Sequence, residues 1–428
     1  MTKYVYNAAR RLNAKRKQFL KWRAGQELSL VRRIERVHPL SGARWVAMTF
    51  DDGPCAKCFS GKKGLTESLL ESLAKFGATA SFDVIGTTEE NYPDQRGEQG
   101  SFQFGGVGFD HYPCYGEDQL AGAVNQPELI EKILAGGHEL TSHSYRHMLF
   151  GPKPLVYKTR RSHHSLEEVM GDLQRLHGYL QDRFGYTVRL ARPPHYVDRI
   201  PDGSSAYTAY QRMGYQYLAA SYDGGGWLPG KDYESEVRSM VEPMERLLEQ
   251  DPDALNGQII FQKDGCNMAL RAPVQDALPQ QLRLLRAYGY RVVSVSELLA
   301  RSPFADMPPD HPAAPCVRAL VERGHVVGYR SNIFRGDRPI TRREFLWMAA
   351  PPELLRRWPQ PPETKLLHEV EALLGFSMEN AAGNTLLDLA MARGVAVEER
   401  DFKDKSAVTR YQAAALLAGL SETICVSS

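Results

Sequence analysis

Residues 44–54 read RWVAMTFDDGP, an apolar run that ends in two adjacent carboxylates and a Gly-Pro turn. Strand-like apolar segments recur up to Ala300, and amphipathic stretches separate several of them. The predicted strands are Trp45–Phe50, Thr79–Ile85, His138–Ser142, Val188–Arg192, Tyr217–Ser221, Gln258–Gln262 and Tyr290–Ser294. Alternating strands and helices predict the α/β class with a parallel sheet. Seven parallel strands indicate a barrel near the (β/α)₈ type, with its site at the carboxyl ends of the strands.

Length and charge narrow the class of protein further. The chain has 428 residues, which at roughly 150 per domain gives about three units. Its apolar share of 43% excludes a mostly disordered chain. Its net charge of +2 argues against a dedicated nucleic-acid-binding protein. The distribution is uneven, because residues 1–40 contain eleven Lys or Arg and two Asp or Glu.

These features predict three segments: a basic helical extension at 1–40, a catalytic barrel at 41–300 and a small all-α domain at 301–428. The extension reads as a helix over 3–36. It would either contact a membrane surface or polyanion, or pack Phe19 and Trp22 against the main domain. An insertion at about 87–126 interrupts the barrel and suggests a lid, a binding loop or a partner surface.

The predicted strand ends carry the candidate chemistry. Asp51 and Asp52 follow the first strand, and His143 and His147 follow the third. The two histidines would share one face if their segment were helical. One carboxylate and two imidazoles suit a divalent ion with an open position, and the second carboxylate is then free to act as a general base. Zinc is the expected ion, with cobalt, nickel and manganese as alternatives.

These motifs resemble the polysaccharide deacetylase family (carbohydrate esterase family four), which includes the rhizobial chitooligosaccharide deacetylases. TFDDGP at 49–54 and HSYRH at 143–147 are similar to its first two motifs. The resemblance implies a distorted, incomplete (β/α) barrel that hydrolyses N-acetyl groups of amino sugars. It further implies that Asp52, His143 and His147 bind the metal and that Asp51 is the base.

The third and fourth motifs depart from the family. Arg192-Pro193-Pro194 resembles the motif whose arginine orients the catalytic aspartate, but His195 and then Tyr196 follow where an aromatic residue is expected first. The resemblance implies that the backbone N–H at this position helps to bind an oxyanion. Asp223 and the groove residue Trp227 match the fourth motif, whose second aspartate is replaced by Gly226. Pro194, Tyr196 and Trp227 are therefore expected to contact substrate.

The fifth motif departs most, because Lys263 stands where the family has the histidine that protonates the leaving amine. An ordinary lysine, with a pKa of about 10.4, is a poor acid near neutral pH, although burial beside a dication would lower that pKa. Three interpretations remain open: Lys263 is the proton donor, His195 has taken over this role, or the activity is weak or lost.

Four cysteines are expected near the same edge of the barrel. Cys55 and Cys58 follow TFDDGP directly, Cys266 follows Lys263, and Cys114 lies in the insertion. They predict either a second metal site or disulfides that fix the insertion, with independent thiols as the alternative.

The segment after a Pro-rich joint at 301–315 resembles S-layer homology units. One copy spans 304–350 and includes Ile340-Thr341-Arg342-x-Glu344; a degenerate copy at 386–420 includes Val408-Thr409-Arg410-x-Gln412. Such units bind cell-wall glycans in the family. Because the second copy lacks the glutamate and no leader is recognisable, a contact role is favoured here instead, including a homo-oligomer formed through these repeats.

Together these patterns predict a metal-dependent hydrolase of a carbon–nitrogen amide bond, acting on an N-acetylated sugar or a related small molecule. The competing hypothesis is a catalytically impaired glycan-binding or envelope-scaffold protein. No run of about 18 apolar residues occurs, and no secretory signal is recognisable, so the sequence predicts a cytoplasmic protein. The cell envelope is the alternative if a leader precedes this sequence.

Overall fold

The computed structural model describes residues 26–59, 63–88, 121–153, 161–267, 269–325, 328–357, 361–374 and 408–426. The chain forms two compact units, one consisting of Ile34–Arg301 and the other of the residues up to Arg33 together with those from Ser302 onward. Most of the predicted insertion and most of the predicted second repeat lie outside the described residues. Within the described residues, no helix combines the length and the apolar character needed to cross a membrane.

The Ile34–Arg301 unit is built on one curled sheet. Its strands are β1 (Arg33–Ile34), β2 (Arg44–Asp51), β3 (Ser81–Val84), β4 (Glu139–Ser142), β5 (Leu190–Ala191), β6 (Gln216–Leu218), β7 (Tyr222–Asp223), β8 (Ile259–Lys263) and β9 (Tyr290–Val293). Their order is β1-β6-β5-β4-β3-β2-β8-β7, and β9 pairs with β2. In the described part of the chain the sheet therefore ends at β1 and β7 and does not close.

The central strand β2 explains this arrangement. It pairs in parallel with β8 on one side, and on the other with β9 near its start and β3 near its end. Its last six residues are buried, as expected for a strand covered on both faces. All seven predicted strands are present, so the predicted distorted, incomplete (β/α) barrel is confirmed.

Helices lie between the strands. They are α1 (Leu65–Phe76), α2 (Pro127–Ala135), α3 (Leu166–Phe184), α4 (Ala206–Met213), α5 (Tyr233–Gln250), α6 (Val274–Ala287) and α7 (Val295–Arg301). The longest, α3, starts where the Ser165 side chain accepts a hydrogen bond from the Glu168 N–H, and it ends at Gly185 in the left-handed conformation. Its buried face includes Val169, Leu173 and Leu176.

The predicted helix over 3–36 lies mostly outside the described residues, and its described end is not helical. Ile34 lies in β1, is fully buried and accepts a hydrogen bond of 2.7 Å from the Ala219 N–H next to β6. Leu28 forms an isolated antiparallel bridge with Tyr329. The helix prediction is therefore wrong for residues 26–36, because backbone pairing with the rest of the chain replaces helical hydrogen bonds.

The unit from Ser302 onward is helical in its described part. Its helices are α8 (Ala314–Glu322), α9 (Arg342–Ala349), α10 (Pro352–Arg357), α11 (Glu363–Leu374) and α12 (Arg410–Val426). They pack around a core that includes Phe304, Phe334, Leu346 and Leu417.

The two Thr-Arg segments start helices in the same way. Thr341 and Glu344 form a reciprocal cap at the start of α9, with hydrogen bonds of 3.2 and 2.9 Å. Thr409 and Gln412 repeat this cap at the start of α12, with hydrogen bonds of 3.2 and 2.8 Å. The glutamine of the second copy therefore performs the capping role of the glutamate in the first.

Candidate active site

Polar side chains gather at the carboxyl edge of the curled sheet. Asp51 is the last residue of β2, and it is in register with Asp83 of β3 on one side and with Lys263 of β8 on the other. His143 directly follows β4, and Arg192 directly follows β5. Because the strands are parallel, their carboxyl ends meet at one edge, and residues far apart in the sequence become neighbours.

The turn after β2 aims the second carboxylate. Asp52 has φ of 79°, in the left-handed region, so the backbone leaves the extended conformation of β2 at this residue. A Cβ at Gly53 would lie 2.0 Å from Oδ2 of Asp264, so the turn requires glycine there. Asp264 is fully buried, and its two carboxylate oxygens accept the Thr66 hydroxyl at 2.8 and 2.7 Å. Burial raises the pKa of Asp264 to about 7.

The three predicted metal ligands meet in a group that we call the ligand side. Oδ1 of Asp52 lies 3.4 Å from Nε2 of His143 and 3.2 Å from Nε2 of His147. The candidate ligand atoms of the three side chains all lie within 4.8 Å of one another, and both histidines are buried. Two imidazole nitrogens and one carboxylate oxygen are a donor set that zinc and related ions accept. The residues therefore fit a divalent metal ion.

The two histidines meet through a turn rather than on one face of a helix. Ser144 and His147 have φ of 72° and 53°, and the segment between the histidines contains no helix. The helical geometry considered from the i, i+4 spacing is thus not what brings them together. The backbone N–H of His147 donates to the Ser144 hydroxyl at 3.0 Å, which closes the turn locally.

Asp172 of α3 fixes this turn, and the sequence reasoning missed it. Its carboxylate accepts the Tyr145 N–H at 2.7 Å and Nε of Arg146 at 2.8 Å. Asp172 is 3% exposed, although it lies on the apolar stripe of α3. A carboxylate at such a position requires polar partners, and that requirement was the available signal.

Asp51 is paired with a buried arginine. Nη1 of Arg192 donates to Oδ1 of Asp51, and Nη2 donates to the Thr49 hydroxyl at 3.1 Å. Burial raises the pKa of Asp51 to about 6, with the Arg192 cation opposing this rise. A carboxylate with such a pKa is suited to accept a proton near neutral pH. Arg192 thus occupies the position expected from the third motif.

Lys263 reaches the ligand side from the opposite direction. Its Nζ lies 2.7 Å from Oδ2 of Asp52, whereas the two histidines face Oδ1. Burial alone would raise the pKa of Asp52, but the Lys263 cation and the histidines outweigh it and hold that pKa well below its usual range. The ion pair leaves Oδ1 of Asp52 directed at the histidines.

His195 lies beside the ligand side, on another loop. Its ring centroid is 5.0 Å from that of His147, and both His195 and Tyr196 have φ of 54°. Pro194, which begins this short turn, is buried, whereas Tyr196 is 38% exposed. We call His195, Trp227 and Lys263 the donor side. They come from three separate segments outside the two ligand motifs.

Asp223 contacts the groove tryptophan in this structure. The indole Nε1–H of Trp227 donates to Oδ2 of Asp223 at 2.9 Å, and the Gly225 N–H donates to Oδ1 at 2.9 Å. Both side chains are exposed. Asp223 therefore orients an exposed aromatic ring, and the carboxylates that the structure places beside Arg192 are Asp51 and Asp83.

The predicted cysteine site remains a prediction. Cys55 and Cys266 are buried and Cys58 is exposed, while Cys114 lies outside the described residues. The two groups of candidate ligands found in the described residues consist of aspartate and histidine: Asp52, His143 and His147, and then Asp51, Asp83 and His143.

Comparison with known proteins agrees with this geometry. The polysaccharide deacetylase family matches residues 41–218, and the S-layer homology domain matches residues 303–346. The chain is 26% identical over 258 residues to a peptidoglycan-N-acetylglucosamine deacetylase of Bacillus cereus, covering 59% of this chain and 87% of the relative. It is 30% identical over 108 residues to a chitooligosaccharide deacetylase of Bradyrhizobium, covering 25% of this chain and 31% of the relative.

Among solved structures, the chitin deacetylase of Colletotrichum lindemuthianum is similar with a TM-score of 0.40 and 21% identity, over 63% of this chain and 92% of that one. The family matches define the class: the chain carries a polysaccharide deacetylase domain. An S-layer homology domain follows it, as the first repeat predicted.

The S-layer homology domain corrects the predicted location. Such a domain indicates attachment at the cell surface, which is inconsistent with a cytoplasmic protein. The cytoplasmic prediction is therefore wrong. It rested on the absence of a recognisable leader, and an absent feature carries less information than a matched domain.

Proposed function

We propose that this protein is a metal-dependent deacetylase that removes N-acetyl groups from amino sugars of a cell-wall glycan. One observation carries the proposal: the ligand side and the Asp51–Arg192 pair lie together at the carboxyl edge of the sheet. The relatives named above act on peptidoglycan and chitooligosaccharides, and these are the substrate classes to test first.

Asp52, His143 and His147 would hold the metal ion. When bound, such an ion supplies Lewis-acid chemistry that polarises a carbonyl and makes water more acidic. Asp51 removes a proton from the attacking water as the oxygen–carbon bond forms. Arg192 keeps the Asp51 carboxylate oriented and stabilises its charge. The carbon–nitrogen bond then breaks, and the products are acetate and a free amine.

Lys263 is the proton donor that we propose. Its Nζ lies 2.7 Å from Oδ2 of Asp52, beside the group that would hold the metal ion, and a dication held there would make the ammonium a stronger acid. The ammonium can deliver a proton to the leaving nitrogen, or it can stabilise negative charge that develops on the carbonyl oxygen. His195, whose ring lies beside that of His147, is the alternative donor.

The same ion pair supports a second candidate function. A lysine bound to Asp52 is held away from a leaving group, so the chain could bind glycan without hydrolysing it. The exposed Trp227 ring, oriented by Asp223, would then serve as a sugar platform.

Acetate release distinguishes the two functions. The zinc-loaded protein is incubated with peptidoglycan fragments and with chitooligosaccharides, and Asp51→Asn is the matched control that keeps the shape of the side chain. We expect Asp51→Asn to lower the rate by about 10²- to 10⁴-fold, the range for loss of a general base. If neither protein released acetate above a protein-free blank on any substrate, the proposed hydrolysis would be excluded and glycan binding favoured.

A further inference from the structure

Asp83 is a buried carboxylate to which neither the motifs nor the proposed mechanism gives a role. It lies in β3, whose four residues are all buried, and Phe82 and Val84 flank it. Its register partners are Asp51 on β2 and Thr141 on β4. A charged carboxylate in such a strand is unfavourable unless it has charged or hydrogen-bonding partners, so its neighbours must explain it.

The contacts of Asp83 divide between its two oxygens. Oδ1 accepts the Thr141 hydroxyl at 2.7 Å, which fixes the rotation of the carboxylate. Oδ2 lies 3.1 Å from Nδ1 of His143 and 3.9 Å from Nε of Arg192. Among the described residues, neither Oδ2 of Asp83 nor Nε of Arg192 makes a hydrogen bond. A hydrogen-bond acceptor, Oδ2 of Asp83, and a donor, Nε of Arg192, are thus buried 3.9 Å apart, and their charges are opposite.

His143 explains the orientation of this carboxylate. Its Nε2 faces Asp52, while its Nδ1 lies 2.9 Å from the Arg192 carbonyl oxygen and 3.1 Å from Asp83. A histidine that binds a metal ion through Nε2 carries its proton on Nδ1, and that N–H is commonly held by a carboxylate or a carbonyl. Here the Arg192 carbonyl oxygen is the hydrogen-bond partner of Nδ1, and the Asp83 carboxylate places negative charge 3.1 Å from the same nitrogen. Both favour a proton on Nδ1 and leave Nε2 free for an ion.

We propose that Asp83 is a positioning residue that joins the ligand side to the base. Through His143 it orients a metal ligand and increases the basicity of Nε2. Through Arg192 it adds negative charge behind the cation that holds Asp51. One carboxylate on β3 thereby influences both the metal ligand His143 and the base Asp51. This inference rests on the proposed function, because it assumes that His143 binds a metal ion.

Metal affinity and the visible absorption of the cobalt-substituted protein test this role directly. Asp83→Asn keeps the shape of the side chain and removes its charge. We expect it to weaken zinc and cobalt binding by about 10- to 100-fold, the range for loss of a partner of a metal-binding histidine. We also expect a changed cobalt spectrum, and on substrate a lower kcat with little change in KM.

Glu139→Gln is the matched control. Glu139 is a carboxylate at the start of β4 that accepts hydrogen bonds from Ser81 and Ser296, and these contacts lie away from the ligand side. We expect its metal affinity and cobalt spectrum to equal those of the wild type. A control that loses affinity as strongly as Asp83→Asn would show a general packing effect and overturn the proposal.

The remaining outcomes separate the two levels of inference. If the wild type binds no divalent metal ion, the proposed function fails, and the role of Asp83 fails with it. If the wild type binds metal and folded Asp83→Asn binds it equally well with the same spectrum, only the role of Asp83 is overturned.

If Asp83→Asn does not fold, Thr141→Val decides, because it keeps the charge and removes the hydroxyl that fixes Oδ1. Weaker metal binding by Thr141→Val supports the proposal, and unchanged binding overturns it.

Discussion

The ligand side and the donor side of the site are built in opposite ways. On the ligand side, Asp52, His143 and His147 come from two short motifs, and their ligand atoms lie within 4.8 Å of one another. On the donor side, His195, Trp227 and Lys263 come from separate segments, and Trp227 is 37% exposed. The motifs specify one half almost completely, whereas the other half depends on single residues whose roles are set by their neighbours. Each half can therefore be altered separately.

The largest effect is expected on the ligand side, from His147→Ala. Loss of a direct ligand should weaken zinc binding by more than the roughly 100-fold that a lost outer partner can cost, and acetate release should fall with it. Isothermal titration with zinc measures the first effect. His177→Ala is the matched control, since His177 contacts the Tyr215 hydroxyl at 2.8 Å and belongs to neither side of the site. Full metal affinity in His147→Ala would show that His147 is not a metal ligand and would contradict the proposed ligand group.

The donor side is tested by Lys263→Met, which keeps the length and apolar packing of the side chain and removes its charge. We expect kcat to fall about 100-fold, as for loss of a general acid. Metal affinity should stay the same or rise, because the Lys263 ammonium no longer competes with the metal ion for the Asp52 carboxylate. This opposite response of metal binding and rate is what separates the two sides.

His195→Ala is the companion to this variant, and we expect it to lower kcat less than about 10-fold, well below the usual contribution of a proton donor. The reverse pattern, in which His195→Ala loses the rate and Lys263→Met keeps it, would assign proton donation to His195. A higher rate in Lys263→His than in Lys263→Met would show that a different proton donor at this position also supports the reaction.

The comparison also shows what the sequence could predict. Strand patterns were sufficient for the incomplete barrel, and the motifs predicted which side chains would lie together: Asp52 with His143 and His147, and Asp51 with Arg192. These side chains meet because parallel strands deliver their carboxyl ends to one edge. The link between Lys263 and Asp52 was not predictable, since it depends on which carboxylate oxygen each neighbour approaches.

Asp83 and Asp172 were missed for a related reason. Each lies inside an element whose other residues read as ordinary core, and only the register of β3 with β4, or the packing of α3 beneath the histidine turn, reveals a partner. A buried carboxylate within an apolar pattern was the available signal. The helix assigned to residues 26–36 failed differently, because pairing with distant segments determines the conformation there.

Asp172→Ala tests how far the ligand side depends on support outside its motifs. The change removes the buried carboxylate that accepts the Tyr145 N–H and Nε of Arg146. We expect about 2 kcal/mol lower free energy of unfolding, the scale for loss of a buried hydrogen-bond partner. We expect metal affinity about 10-fold weaker, because the histidine turn loses its anchor. Urea unfolding and zinc titration measure the two effects, and Asp182→Ala, an exposed position on the same helix, is the control.

Trp227→Ala should give the smallest effect and show whether the donor side also binds glycan. The ring is exposed and oriented by Asp223, so its loss should remove a contact that substrate and transition state share. An aromatic contact of about 1 kcal/mol corresponds to a KM several-fold higher, with kcat nearly unchanged. Steady-state kinetics on chitooligosaccharides measure both constants, and the neighbouring exposed Leu228→Ala serves as control. If kcat fell while KM stayed constant, Trp227 would act in the chemical step and not in binding. The residues of the donor side would then act in one step, although they come from separate segments.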